Sequence, residues 1–162
     1  MNLPSLMANR VSSYRIFKWN DCSKAGLASD TGNESNAALN TQSCYDWGTG
    51  RDMGIDREAV ANHIYEDWPS AADCGKQQYS PMMKTNNEPG NSADDRPQDV
   101  ATVLANWENL MATGKRLCSP SSHDGSLGWL REFIDSIDAR GWRCDIMDVH
   151  CYWPEGSFNN LS

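Results

Sequence analysis

Two amphipathic helical patterns in the second half of the chain restrict its possible folds more than any other feature. The first pattern begins at Asp95 or Pro97 and stops at Gly114. Its apolar residues recur every three or four positions: Val100, Val103, Leu104, Trp107, Leu110 and Met111. The second pattern is capped by Ser126 and ends at Gly141. Its inward residues are predicted to be Leu127, Leu130, Phe133, Ile134 and Ile137.

A short strand pattern follows each helical pattern. Residues 117–120 predict a strand and a turn, and residues 144–152 predict a strand that is apolar on both faces. Strand, helix and strand at these spacings indicate parallel β/α units, so we predict an α/β fold. In such a fold the carboxyl ends of the strands meet at one edge, where ligands bind.

The rest of the chain gives fewer signals. Residues 1–20 are predicted to be a tail or an upstream linker, and residues 21–162 the domain. We expect no signal peptide, because a basic start followed by an apolar stretch and a small-residue cleavage site is missing from the N-terminus. No apolar run approaches the roughly 20 residues that a membrane span requires.

Charge and cysteine spacing exclude several classes of function. The chain has 14 Lys and Arg against 22 Asp and Glu, a net charge of −8, which argues against a nucleic-acid or anionic-membrane partner. The six cysteines are widely spread, with no Cys-x-x-Cys pair and no histidine at zinc-ligand spacing, so no metal and no cofactor are expected. Buried free thiols and one or two disulfides in an exported protein both stay open. The cysteines are Cys22, Cys44, Cys74, Cys118, Cys144 and Cys151.

One pattern recurs four times: a strand ends in an aromatic residue or a carboxylate, and Gly or Pro follows. It occurs in residues 44–48, 63–69, 82–89 and 149–154. The shared strand edge would therefore carry Trp47, Trp68, Trp153 and Glu88. Flat indole rings beside carboxylates and amides suit a sugar, so we predict a carbohydrate ligand, although core packing stays open for each tryptophan. Trp107 and Trp129 lie on the helical patterns and are expected in the core.

The tripeptide Asn87-Glu88-Pro89 is the sharpest candidate for catalysis. A glycosidase needs a carboxylic acid that protonates the departing oxygen and later deprotonates a water, and a neighbouring amide can hold the sugar 2-hydroxyl. Glu88 and Asn87 suit these two roles. The alternative is an ordinary helix start with Glu near the helix dipole. His150 is either a contact of the sugar or of Glu88, or a satisfied core histidine.

Six short motifs, in order along the chain, resemble the catalytic domain of glycoside hydrolase family 128. They lie at residues 24–28, 45–48, 87–89, 118–121, 129–133 and 149–152. The resemblance implies a (β/α)₈ TIM-type barrel, incomplete, with about its first six strands, and a β-glucan substrate, β-1,3-linked. It implies Glu88 as the catalytic acid/base. The implied substrate-binding residues are Asn87, Trp47, Trp68, His150, Tyr152 and Trp153.

The chain also departs from the family pattern. Asn86 stands where the family has Phe, Gly90 where it has Asp, and Cys151 where it has Trp. The family's nucleophile is a Glu on a seventh strand, and no strand pattern follows Tyr152, so Glu155 is the one substitute.

We therefore expect a barrel that is truncated at its C-terminus, unstable alone and inactive as this chain, because retention requires two carboxyl groups about 5 Å apart. A noncatalytic glycan-binding module and a non-functional fragment are the alternatives. A polysaccharide substrate suggests that the parent protein is exported and has further domains.

Overall fold

A computed structural model describes residues 26–28, 43–48, 58–77, 80–94 and 96–150 of the chain. Within them, short parallel strands alternate with helices in the second half, as the sequence pattern predicts. The predicted tail lies outside the described residues. In the part of the chain that the structure describes, no helix has the length and apolar character to cross a membrane.

The strands form one series of parallel neighbours. They are β1 (Gly26–Ala28), β2 (Ser43–Tyr45), β3 (Glu58–Ala59), β4 (Ala61–His63), β5 (Met82–Asn87), β6 (Arg116–His123) and β7 (Val149–His150). β3 pairs with β2, and β4 pairs with β5. Only Val60 separates β3 from β4, and its N–H donates to the carbonyl oxygen of Cys44 at 2.9 Å, so the two segments share one strand position.

The order is therefore β1, β2, β3 with β4, β5, β6 and β7, which makes six parallel positions in chain order within the described ranges. This arrangement confirms the predicted α/β class and resembles the first six strands of a barrel. Among the described residues β1 and β7 do not pair, so the ring is not closed there.

Among the described residues, three α-helices connect the strands. They are α1 (Ala71–Lys76), α2 (Val100–Ala112) and α3 (Leu127–Arg140). α2 begins later than predicted, at Val100, because the Asp99 carboxylate accepts a hydrogen bond from the Thr102 N–H at 2.7 Å and caps the helix there. Gly114 follows α2 with φ 72°, a left-handed conformation that favours glycine, and the predicted stop is confirmed.

The start of α3 differs from the prediction. Ser126 precedes the helix, but its hydroxyl makes no capping hydrogen bond, because it closes a 3₁₀ turn (Asp124–Ser126) with φ −111° and ψ 23° rather than extended backbone. Leu127 is 50% exposed, so its predicted inward position is wrong, since the packed layer begins at Leu130. Gly141 ends the helix with φ 63°, as predicted.

β6 is longer than the strand predicted over residues 117–120, because it continues through Pro120 to His123. Proline has no N–H for the ladder and is tolerated in a sheet at a bulge. The register between β5 and β6 shifts at the pair of Thr85 with Pro120, which is such an irregularity. The extra length brings His123 to the edge where β7 ends, paired with His150.

The apolar core lies between the sheet and the helices. Met83 of β5 and Leu117 of β6 contribute to it from the strands, and both are fully buried. The rings of Trp107 on α2 and Phe133 on α3 meet edge to face, with their centroids 4.9 Å apart. Trp129 stacks on Phe133 at 5.7 Å. The predicted core position is confirmed for Trp107, while Trp129 is partly buried and packs against the core.

The opposite face of the strands is polar. Lys84 of β5 forms an ion pair with Asp148, and its ammonium lies 4.8 Å from the centre of the Tyr45 ring. The Ser121 hydroxyl donates to the same Asp148 carboxylate at 2.6 Å. β7 covers only the end of the strand predicted over residues 144–152. Val149 is 46% exposed, which contradicts the expectation that both of its faces are buried.

Burial governs the chemistry of the described cysteines. Cys74, Cys118 and Cys144 carry free thiols. Burial raises the pKa of Cys74 and of Cys144 to about 11 and that of Cys118 to about 12, so these thiols stay protonated near neutral pH. Cys44 is buried as well. The interpretation as buried free thiols is confirmed for Cys74 and Cys118, while Cys144 is free but only partly buried. Cys22 and Cys151 lie outside the described residues.

Candidate active site

Glu88 occupies a conformation that few side chains adopt. It follows the last residue of β5 with φ 40°, in the left-handed region, and Asn86 two residues earlier has φ 31°. The Glu88 N–H donates to the carbonyl oxygen of Ser121 on β6 at 3.1 Å, which fixes the turn. Non-glycine residues in this region cost about 1–3 kcal/mol and gather at functional sites. The strained turn directs Glu88 to the carboxyl edge of the sheet, where it is 6% exposed.

Both carboxylate oxygens of Glu88 have hydrogen-bond partners. Its Oε1 lies 2.8 Å from Nδ1 of His150, at the end of β7. Its Oε2 accepts a hydrogen bond from Nδ2 of Asn91 at 2.7 Å. The structure therefore brings together Glu88 and His150, which are 62 positions apart in the sequence, as expected for a contact of Glu88.

The side-chain amide of Asn87, the residue before Glu88, is held by a carboxylate of the following loop. Its Nδ2 donates to Oδ2 of Asp94 at 3.2 Å, within the loop after β5. Gly90 in the same loop leaves no room for a side chain, because an added Cβ would lie 2.7 Å from Cγ of Trp129. The departure from the family's aspartate at this position therefore matches the packing of Trp129 against the loop.

The two described strand-end tryptophans are exposed. Trp47 follows β2 with 43% of its surface accessible, and its ring centre is 5.7 Å from that of Tyr45. Trp68 follows β4 with 52% accessible. Core packing is therefore excluded for both residues. Tyr152, Trp153 and Glu155 lie outside the described residues, so their predicted positions stay predictions.

The site therefore consists of a buried carboxylate at the carboxyl edge of a parallel sheet, a histidine within hydrogen-bond distance of it, and exposed indole rings after two other strands. The family model for the glycosyl hydrolase catalytic core matches residues 18–162. The chain belongs to this family. No curated protein matches the sequence.

Two solved structures are similar to this glycosyl hydrolase core. One is a family 128 (subgroup I) endo-β-1,3-glucanase from Amycolatopsis mediterranei in complex with laminaritriose. It is 25% identical, with a TM-score of 0.66, over 78% of this chain and 56% of that one. A mutant of the same enzyme with laminarihexaose gives 25% identity and a TM-score of 0.67, over the same shares of the two chains.

The resemblance to family 128 is thus confirmed. The chain spans about half the length of these glucanase structures.

The side chain of Arg96 joins two loops of the glycosyl hydrolase core, a contact that sequence analysis missed. The Arg96 guanidinium contacts Glu66 at 3.2 Å and Asp67 at 3.3 Å, and lies 4.4 Å from the ring centre of Tyr65. It therefore joins the loop after β5 to the loop that carries Trp68. No sequence signal pairs these residues, because about 30 positions separate them and the fold alone makes them neighbours.

The two other described histidines, His63 and His123, have different surroundings. Nδ1 of His63 donates to the carbonyl oxygen of Pro69 at 2.6 Å, and Nε2 lies 3.3 Å from Nδ2 of Asn106. Burial lowers the pKa of His63, so it is a neutral, satisfied core histidine. His123 pairs in register with His150 at the edge that carries Glu88. Among the described residues no group of three His, Cys, Asp or Glu side chains is placed to hold a metal.

Proposed function

We propose that this glycosyl hydrolase core contributes the acid/base carboxyl group to the hydrolysis of a β-1,3-glucan with retention. The observation that carries the proposal is the buried Glu88 carboxyl group at the carboxyl edge of the sheet, bonded to His150. The 25%-identical structures that support the substrate class are endo-β-1,3-glucanases with laminari-oligosaccharides bound.

Glu88 would serve in both halves of the reaction. In the first half its carboxylic acid gives a proton to the departing glycosidic oxygen, so the leaving sugar departs as a neutral alcohol. In the second half the resulting carboxylate takes a proton from the attacking water. At 6% exposure the carboxyl group is largely shielded from bulk water, so the proton that it transfers exchanges with the bound sugar and the attacking water.

Asn87 and the strand-end side chains would hold the sugar. The Asn87 amide, held by Asp94, is assigned the contact with the 2-hydroxyl, and His150 borders the same position. The exposed rings of Trp47 and Trp68 offer apolar faces to the C–H groups of neighbouring sugar units. Tyr152 and Trp153, which follow β7 in the sequence, would form the remaining walls of the sugar-binding site.

Retention also needs a nucleophilic carboxylate about 5 Å from the acid/base. The proposal assigns this second group to a strand following β7, and residues beyond His150 lie outside the described ones. The acid/base half of the site is therefore what the described residues support.

The test uses the chain together with the strand that supplies the second carboxylate, and compares it with its Glu88→Gln variant on laminarihexaose, with cellohexaose as the linkage control. We expect reducing ends from laminarihexaose only. We expect Glu88→Gln to lower kcat by at least about 100-fold with little change in KM, since it removes the proton donor and keeps the shape. Glu108→Gln, an exposed glutamate on α2, is the matched control and should leave the rate unchanged.

Two other results would contradict the proposed function. In that protein, binding of laminarihexaose by calorimetry without release of reducing ends would overturn hydrolysis and favour a glycan-binding module. A rate that Glu88→Gln leaves unchanged would remove Glu88 from the acid/base role.

A further inference from the structure

The loop after β5 contains a residue that contacts the Glu88 carboxyl group and has no role in the motifs described above. Asn91 lies three positions after Glu88, and its Nδ2 is 2.7 Å from Oε2 of Glu88. The contact sits beside a carboxyl group with 8% of its side chain exposed. A polar contact at such burial is only weakly screened by solvent, so it acts on the carboxyl group with more than its surface strength.

The orientation of the Asn91 amide follows from its other contacts. Its Oδ1 accepts a hydrogen bond from the Ala93 N–H at 3.0 Å, which forms a local Asx turn. Its backbone N–H donates to the carbonyl oxygen of Glu88 at 2.9 Å. Because Oδ1 already faces a backbone donor, the atom turned toward Glu88 is the NH₂ group, which donates only.

This orientation distinguishes the two oxygens of Glu88. Oε2 faces a donor that cannot accept a proton, so it remains an acceptor whether Glu88 is charged or neutral. Oε1 faces Nδ1 of His150, a ring nitrogen that either donates or accepts according to its tautomer. The exchangeable proton of the carboxyl group therefore belongs on Oε1.

We propose that Asn91 is a positioning residue for Glu88: it holds Oε2 as an acceptor and leaves the transferable proton to Oε1, beside His150. The catalytic meaning of this proposal rests on the proposed function, in which Glu88 alternates between acid and carboxylate. Asn91 would fix the plane of the carboxyl group in both states and would favour the charged state that forms when the proton leaves.

Other titratable groups near this edge belong to the neighbouring strands and the same loop. Among the residues that the structure describes, they are the ion pair of Lys84 with Asp148 on the polar face of the sheet, His123 at the end of β6 and Asp94 on the amide of Asn87. None of them is altered by a change at Asn91, so a change in the titration of Glu88 reports the Asn91 contact.

The experiment uses the full chain labelled with ¹³C at the glutamate carboxyl carbons, with the Glu88 signal assigned by its loss in Glu88→Gln. Asn91→Ser keeps an oxygen for the turn at Ala93 and is too short to reach Glu88. We expect it to raise the titration midpoint of Glu88 by about one pH unit, the size of one hydrogen bond to a charged group. Asn91→Asp, which keeps the turn and places a carboxylate against Oε2, should raise the midpoint further.

Asn109→Ser, on the exposed face of α2, is the matched control and should leave the midpoint unchanged. If Asn91→Ser fails to fold, Asn91→Asp supplies the same test, because it retains the acceptor for Ala93. A Glu88 midpoint that neither variant moves overturns the proposal.

The NMR result does not depend on activity, so its failure is separate from failure of the proposed function. Where the chain hydrolyses laminarihexaose, Asn91→Ser should lower kcat more than it changes KM, and it should move the alkaline limb of the rate profile in the same direction as the midpoint. A pure loss of folded protein would lower the rate equally at every pH, and that result contradicts a positioning role.

Discussion

One face of the parallel sheet is apolar, and the opposite face is polar. On the face covered by helices, Met83 and Leu117 join Trp107 and Phe133 in a core with no exposed surface. On the opposite face, Lys84 and its ion-pair partner Asp148, the residue before β7, lie behind the edge that carries Glu88. One strand, β5, supplies residues to both faces, because successive side chains point to opposite sides.

The difference shows where stability and chemistry are located. Burial of apolar side chains contributes roughly 25 cal/mol per Å² removed from water, so the helix-covered face stabilises the fold. A buried ion pair contributes little net stability, since the cost of removing two charges from water offsets their attraction. The polar face therefore serves to place charged and hydrogen-bonding groups near the site.

The largest expected loss of stability comes from a substitution in the apolar face. Phe133→Ala removes a fully buried ring that contacts both Trp107 and Trp129, and it should lower the free energy of unfolding by about 3–5 kcal/mol. Urea unfolding followed by tryptophan fluorescence measures this loss. Leu127→Ala, on the same helix but half exposed, is the control and should cost less than about 0.5 kcal/mol. Equal losses in the two variants would contradict the assigned core.

A smaller effect tests the polar face. Lys84→Met removes the cation from Asp148, whose side chain is 19% exposed, and leaves a poorly solvated carboxylate. We expect a loss of about 2 kcal/mol, below the range for a fully buried pair. The double variant Lys84→Met with Asp148→Leu should regain much of this loss, because both charges are gone. A double variant as unstable as the sum of its single changes would show that the pair is not coupled.

The smallest effect concerns His63 and pH. Burial lowers its folded pKa below the ordinary 6.5, so the unfolded state binds more protons as the pH falls past that value. Stability from the neutral ring is complete above the unfolded pKa and is lost as the pH falls toward the folded one. Urea unfolding between about pH 7.5 and 5.5 should therefore show a smaller loss for His63→Gln than for the unaltered chain. Identical slopes would contradict a neutral buried ring.

Local patterns predicted much of the second half of the fold. The apolar spacing of α2 and α3 and their terminal glycines gave both helices, because a helix needs only residues three and four apart to form its face. The wrong predictions concern where helices and strands begin and end. Leu127 is exposed although it keeps the spacing, and β6 passes through Pro120, because packing and bulges decide where an element stops.

The candidate site was predicted in part. The tripeptide around Glu88 follows a strand, and parallel strands end at a common edge, so its location could be derived. His150 could be proposed as a contact, but not the 2.8 Å hydrogen bond to Glu88. Asn91 was missed, since an asparagine in a polar loop gives no signal until the turn places its amide on the carboxyl group.

The sequence by itself determined the alternation of strands and helices, the apolar stripe of each helix and the carboxylate that follows β5. These depend on neighbours within a few positions, where backbone geometry fixes which side chains share a face. Only the tertiary structure decided which distant groups meet: Lys84 with Asp148, Arg96 with the loop of Trp68, and Glu88 with His150. Such contacts depend on the order and register of the strands, and the register shifts twice around Pro120 in a way that no local pattern records.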